Sequence, residues 1–151
     1  MSVIDNEYVY LISTVTSRLH SFDNKAFHFH THLSTPLNLE GNWEVALIDL
    51  FYPILHKVSG IFFFVYTDIV DYSYVGSKQY NILRPIQLRN FENNTHTVNY
   101  EAFQNPYYLP VNKQSIESIE IIVETDEKHP EDYFFINPGD FALTLHFRRK
   151  S

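Results

Sequence analysis

Along most of the chain, apolar and polar residues alternate in steps of two. In Ile119-Glu120-Ile121-Ile122-Val123-Glu124 the residues Ile119, Ile121 and Val123 fall on one side and both glutamates on the other. Successive side chains of an extended chain point to opposite faces, so this rhythm predicts a strand with one face on a core and the other in water. Phe141, Leu143, Leu145 and Phe147 repeat it near the end of the sequence. The second half of Trp43-Glu44-Val45-Ala46-Leu47-Ile48-Asp49-Leu50 is apolar on both sides. That suits a strand covered on both faces or lying at a subunit contact. Helical periodicity is almost absent, and turn residues separate short runs rich in Val, Ile, Phe and Tyr. The pattern predicts strands over 8–15, 26–33, 43–51, 61–66, 81–88, 96–103, 118–124 and 141–149.

These elements predict an all-β protein, with residues 1–151 forming one domain. About eight strands with several long connections fit a single jelly-roll, a two-sheet antiparallel sandwich, better than a tight up-and-down barrel. Periodicity alone does not separate a jelly roll from an immunoglobulin-like sandwich. Gly41-Asn42, Asn105-Pro106 and Asn137-Pro138-Gly139-Asp140 supply turn chemistry between strands.

Composition narrows the function classes. Hydrophobic residues make up 44% and charged residues only 19%, which is not the balance of a disordered chain. A formal charge of −7 argues against a dedicated nucleic-acid binder, which needs a concentrated Lys/Arg surface. The basic cluster Arg148, Arg149 and Lys150 is therefore read as a frayed charged terminus rather than a nucleic-acid contact. Absence of cysteine excludes disulfides, thiolate metal sites and a cysteine nucleophile. Residues 1–7 lack the basic start and apolar run of a signal peptide, and no apolar run approaches the ~20 residues of a membrane helix. The expectation is a soluble protein made inside the cell. Asn93-Asn94-Thr95, although a glycosylation sequon, reads as a polar loop.

Candidate chemistry centres on His28, His30 and His32, which share one side of a strand. Two imidazoles at i and i+2 can converge on a metal, but a third at i+4 lies ~13 Å from the first, so another ligand must come from a neighbouring strand. Metal-binding cupins follow a His-x-His with Glu within about four residues; here the next carboxylate is Glu40. A solvated or interface-facing strand side is the expected role, with no cofactor and no metal. His28 and His30 are the ligand candidates were one to bind. Protonation of all three imidazoles near pH ~6 would place like charges on one strand face. Asp49, Asp68 and Asp71 lie near strand ends and read as hydrogen-bonding groups rather than an acid/base pair. Nucleophile-elbow, phosphate-loop and dinucleotide patterns are missing, and no enzymatic activity is expected.

Several segments in order resemble a known family. Pro36-Leu37-Asn38-Leu39-Glu40-Gly41-Asn42-Trp43-Glu44-Val45-Ala46-Leu47 leads to Tyr52-Pro53. Next come Val65-Tyr66-Thr67-Asp68-Ile69-Val70, Val75-Gly76 and Leu83-Arg84. Asn105-Pro106-Tyr107-Tyr108-Leu109-Pro110-Val111, Ile116-Glu117-Ser118-Ile119-Glu120-Ile121 and Thr144-Leu145-His146-Phe147-Arg148-Arg149 complete the series. From Pro36 onward the chain is similar to the minor capsid (penton) proteins of Polinton/Maverick elements and adintoviruses. It departs from their pattern at Ile54-Leu55-His56-Lys57-Val58 and Asp126-Glu127-Lys128-His129-Pro130. The resemblance implies a structural virion protein, a single jelly roll assembling as a homopentamer at icosahedral vertices beside a major capsid protein. It implies no catalysis.

Aromatic residues in apparent connections fit that role. Tyr72, Tyr74, Phe103, Tyr107 and Tyr108 are costly to leave in water and suited to subunit contacts, or else they cap the ends of the sandwich. The alternative functions are a sandwich-fold binding module for carbohydrate or host attachment, using these tyrosines as stacking platforms, and a cupin-like metalloprotein.

Overall fold

The computed structural model of the chain describes residues 5–13, 28–53, 62–75, 78–87, 98–125 and 141–150. Eleven strands account for most of them: β1 (Asn6–Ile12), β2 (His28–Asn38), β3 (Trp43–Pro53), β4 (Phe62–Thr67), β5 (Ser73–Val75), β6 (Lys78–Tyr80), β7 (Ile82–Gln87), β8 (Val98–Ala102), β9 (Leu109–Pro110), β10 (Ser115–Thr125) and β11 (Ala142–Arg149). Each of the eight expected strands has its counterpart, and no helix occurs among the described residues. The hairpin β5-β6 and the two-residue β9 were expected to be connections. They are too short for an alternation to register. The loop 93–95, both departures from the capsid pattern and the turn 137–140 lie outside the described residues.

All pairings are antiparallel. One sheet has the order β1-β11-β3-β8, with β9 extending the β8 side of β3; the other runs β2-β10-β4-β7. Between them lies one core. Leu11, Val45, Leu47, Leu50, Phe141, Leu143, Leu145 and Phe147 from the first sheet meet Phe29, Phe63, Val65, Ile119, Ile121 and Val123 from the second. Tyr52 of β3 and Phe63 of β4 touch across the gap with ring centroids 5.2 Å apart. The two rows read from the alternation are thus both inward. This is a two-sheet antiparallel sandwich.

Strand β3 explains its own double-sided apolarity. Thr144 of β11 opposes Asp49 while Leu145 opposes Leu47, which leaves Ile48 as an extra residue in the ladder. A bulge of this kind resets the alternation. Val45 and Leu47 face the core before it, and Leu50 and Tyr52 face the core after it. Ile48 keeps a role, since its carbonyl accepts a hydrogen bond from the Phe103 amide at 3.0 Å.

Two further irregularities shape the molecule's end. Between the pairs Ile116/Leu37 and Ser118/His32, strand β2 carries four residues where β10 has one, a bulge that contains Pro36, which has no amide to give a ladder. The turn into β3 passes through Gly41 at φ 91°, a region where a side chain is strained. An open groove of about 500 Å³ runs past Thr35, Pro36, Trp43 and Arg149 at this end.

Candidate functional site

The outer face of the five-stranded sheet includes three neighbouring rows of paired residues, beside a further row of Asn6, Arg148, Glu44 and Pro110. Tyr8, His146 and Ala46 form one; Tyr10, Thr144, Asp49 and Ala102 the next; Ile12, Ala142, Phe51 and Tyr100 the third. Because inward residues alternate with these, the same rhythm that builds the core places all of them outside. The strands differ in what their outward positions hold. On β11, Thr144 and His146 are buried, so this strand does not have the wet face its alternation suggests. On β1, β3 and β8 the residues Tyr8, Tyr10, Ile12, Phe51 and Tyr100 are between 44% and 73% exposed. Phe51 and Tyr100 rings pack at 4.4 Å, and Tyr100 donates to Asp49 Oδ2 at 3.3 Å. Desolvation, then the Asp49 carboxylate, holds the Tyr100 phenol above its ordinary value.

His146 sits at the centre of a network on this face. Tyr8 stacks on its ring at 4.5 Å, Tyr108 meets it edge-on, and its Nε2 lies 2.8 Å from Asn6 Oδ1. Since Asn6 Oδ1 accepts, Nε2 carries the proton, leaving Nδ1 to accept from the Tyr108 hydroxyl at 2.8 Å. Both ring nitrogens are satisfied by the neutral tautomer. Burial, then the Arg148 guanidinium, holds the imidazole below its ordinary value. Arg148 itself lies over the Tyr108 ring at 3.4 Å and donates to Glu44 Oε1 at 2.6 Å.

The outer face of the four-stranded sheet carries the histidines. His30 pairs with Glu120 and His28 with Ile122 across the β2-β10 ladder. Glu120 Oε2 lies 3.0 Å from His28 Nε2 and 2.9 Å from His30 Nε2. His32 stands further along β2, opposite Ser118. Like charges on this strand would therefore face a carboxylate placed between two of them.

The sequence-selected aromatics land in different settings. Phe103 and Tyr107 flank the Arg84 guanidinium at 3.8 and 4.3 Å, and Arg84 donates to the Asn105 carbonyl at 3.2 Å, so this segment is clipped to β7. Phe103 and Tyr108 are half-buried within the subunit, whereas Tyr72 and Tyr107 are exposed. Tyr74 belongs to β5, and its side chain lies outside the described residues. Asp49 lies on β3 and Asp68 in the turn after β4: Asp49 accepts from Tyr100, while Asp68 Oδ1 accepts from the Glu120 amide at 3.0 Å. Asp71 is exposed beyond β4.

Arg148 and Arg149 do not fray. Both lie in β11; Arg149 donates its amide to the Asp5 carbonyl, and the Lys150 amide donates to the Asn42 carbonyl at 2.7 Å. The carboxylate of Glu44 and the ring of Tyr108 occupy Arg148. Sequence reasoning did not find Tyr8, Tyr10, Ile12, Phe51 and Tyr100 as one surface, nor Glu120 as the partner of His28 and His30. The alternation of β1 and β10 put Tyr8, Tyr10, Ile12 and Glu120 outward, but only the ladders bring these to Phe51 and Tyr100 or to the two histidines.

Among the described residues no helix is long and apolar enough to cross a membrane. No protein-family model matches the chain, and no curated protein matches it either.

Proposed function

We propose that this chain is a structural virion subunit, a penton-type minor capsid protein that self-assembles into homopentamers at icosahedral vertices and contacts a major capsid protein. The observation that carries the reading is the outer face of the five-stranded sheet, where Tyr8, Tyr10, Ile12, Phe51 and Tyr100 form adjoining exposed rows. Aromatic residues clustered on a rigid sheet suit a protein interface, because they offer large apolar area with few rotatable bonds. The ordered resemblance from Pro36 onward points to the same role.

The finer fold reading belongs with it. Setting aside β5, β6 and β9, the remaining strands pair first with last, second with seventh, third with sixth and fourth with fifth. That nesting is one long antiparallel hairpin, and rolling it up brings β11 beside β3 and β10 beside β4. Strand order thus supports a jelly roll.

Sedimentation equilibrium of the purified chain tests the function. The expected mass is about five times the 17.9 kDa of one chain, and Tyr10→Ser with Phe51→Ser shifts it toward the monomer. A wild-type protein that stays monomeric both alone and mixed with its major capsid protein defeats the proposal.

A further inference from the structure

We infer that His28, His30 and Glu120 form a binding site for a divalent transition-metal ion of the zinc class, tying strand β2 to strand β10. The inference goes beyond the shell reading and does not depend on it. One ligand atom from each of the three residues lies within 4.8 Å of the other two. In a tetrahedral site with bonds of ~2.0–2.2 Å, ligand atoms stand ~3.4 Å apart. The carboxylate oxygen is 2.9 and 3.0 Å from the two Nε2 atoms, so those pairs need to open by about 0.5 Å, while the ligand nitrogens of the two histidines, within 4.8 Å of each other, need to close by up to about 1.4 Å, a movement that side-chain rotation supplies.

Backbone geometry supplies this convergence. His28 and His30 are two apart on one strand and so share a face, while the register sets Glu120 directly opposite His30. Glu120 is held from behind, its amide donating to Asp68 Oδ1, and Lys113 Nζ lies 3.5 Å from the other oxygen of Asp68. As hydrogen-bond donors the two imidazoles need protons on Nε2, whereas as ligands they need those lone pairs free. Moving each proton to Nδ1 makes the switch without a change of fold. Two imidazoles and one carboxylate match zinc and its first-row neighbours rather than magnesium or calcium, which prefer oxygen alone. The two rings remain 45% exposed, so water reaches the remaining coordination positions. Because β2 is the edge strand of its sheet among the described residues, an ion shared with β10 would secure it to the one neighbour described beside it.

The test is titration of the full-length chain with Zn²⁺ at neutral pH, read by calorimetry and by competition with a chromophoric chelator. One equivalent per chain is expected, with a rise in melting temperature on saturation. Glu120→Gln and His30→Asn weaken binding by about tenfold or more, whereas His32→Ala, one position further along the same face, leaves it unchanged. Circular dichroism confirms that each variant is folded. Titration of the unmutated chain with Co²⁺ gives a readout that needs no variant, since imidazole coordination produces visible absorption bands. Absence of Zn²⁺ binding, or binding that persists undiminished in folded Glu120→Gln, overturns the inference.

Discussion

The Tyr108 hydroxyl donates to Nδ1 of His146 at 2.8 Å, tying the segment before β9 to the outer face of β11. The neutral imidazole accepts this bond, whereas a protonated one would have to reverse it, with Nδ1 donating to the hydroxyl. Burial and Arg148 keep His146 below its ordinary value of 6.5, so the unfolded chain binds a proton there at a higher pH than the folded one. The contribution is constant above that value and is lost as pH falls from it toward the lowered folded value. The groups facing His146 are Asn6 and Tyr8 from β1, Tyr108, and Arg148 with its partner Glu44. Urea midpoints measured from about pH 7.5 down to about 5.5 are expected to fall more in wild type than in His146→Gln. Equal slopes would show that His146 is not the group responsible. Tyr108→Phe leaves Nδ1 without its donor and is expected to cost about 1–3 kcal/mol at neutral pH.

Arg148 and Glu44 are unequal partners. The Glu44 side chain is 10% exposed and that of Arg148 45%. Removing Arg148 strands a buried carboxylate, while neutralising Glu44 leaves a guanidinium that water can still reach and that keeps the Tyr108 ring. Arg148→Ala is therefore expected to destabilise by about 2–3 kcal/mol and Glu44→Gln by about 1–1.5 kcal/mol. Chemical denaturation of the two variants settles the order, and the reverse ranking would refute the argument.

The bulge at Ile48 makes an unusual deletion tolerable. Without Ile48 the strand would read Val45, Leu47, Leu50 and Tyr52 inward with Ala46, Asp49 and Phe51 outward, an unbroken alternation. Deleting Thr144 on the opposing strand has the opposite effect, turning His146 and Arg148 toward the core and Leu145 and Phe147 toward water. The Ile48 deletion is expected to keep a cooperative thermal transition, at a cost of about 1–3 kcal/mol including the lost Phe103 hydrogen bond. The Thr144 deletion is expected to abolish that transition. Calorimetry of the two proteins distinguishes them.

Much of the sandwich could be read from residue order because burial with period two is a local property. Ile119, Ile121 and Val123, and likewise Phe141, Leu143, Leu145 and Phe147, declare their face within a single strand, and all are buried. Where a strand breaks that rule the reading slips. Leu47-Ile48 looked like cover on both sides, and the cause is an extra residue whose existence depends on β11. The buried outer face of β11 was equally hidden, since its cover comes from Tyr8 and Tyr108, far away in sequence.

The sequence by itself determined that the chain folds as strands, which side chains of the regularly alternating strands face the core, and that His28 and His30 share a face. Pairing and register were decided only by the tertiary structure, because a ladder joins residues whose separation no local pattern encodes. Glu120 meets His28 from 92 residues away, and His146 meets Asn6 across 140. A shift of one residue in either ladder would leave every propensity unchanged, yet it would move Glu120 from the histidines and Tyr8 from His146.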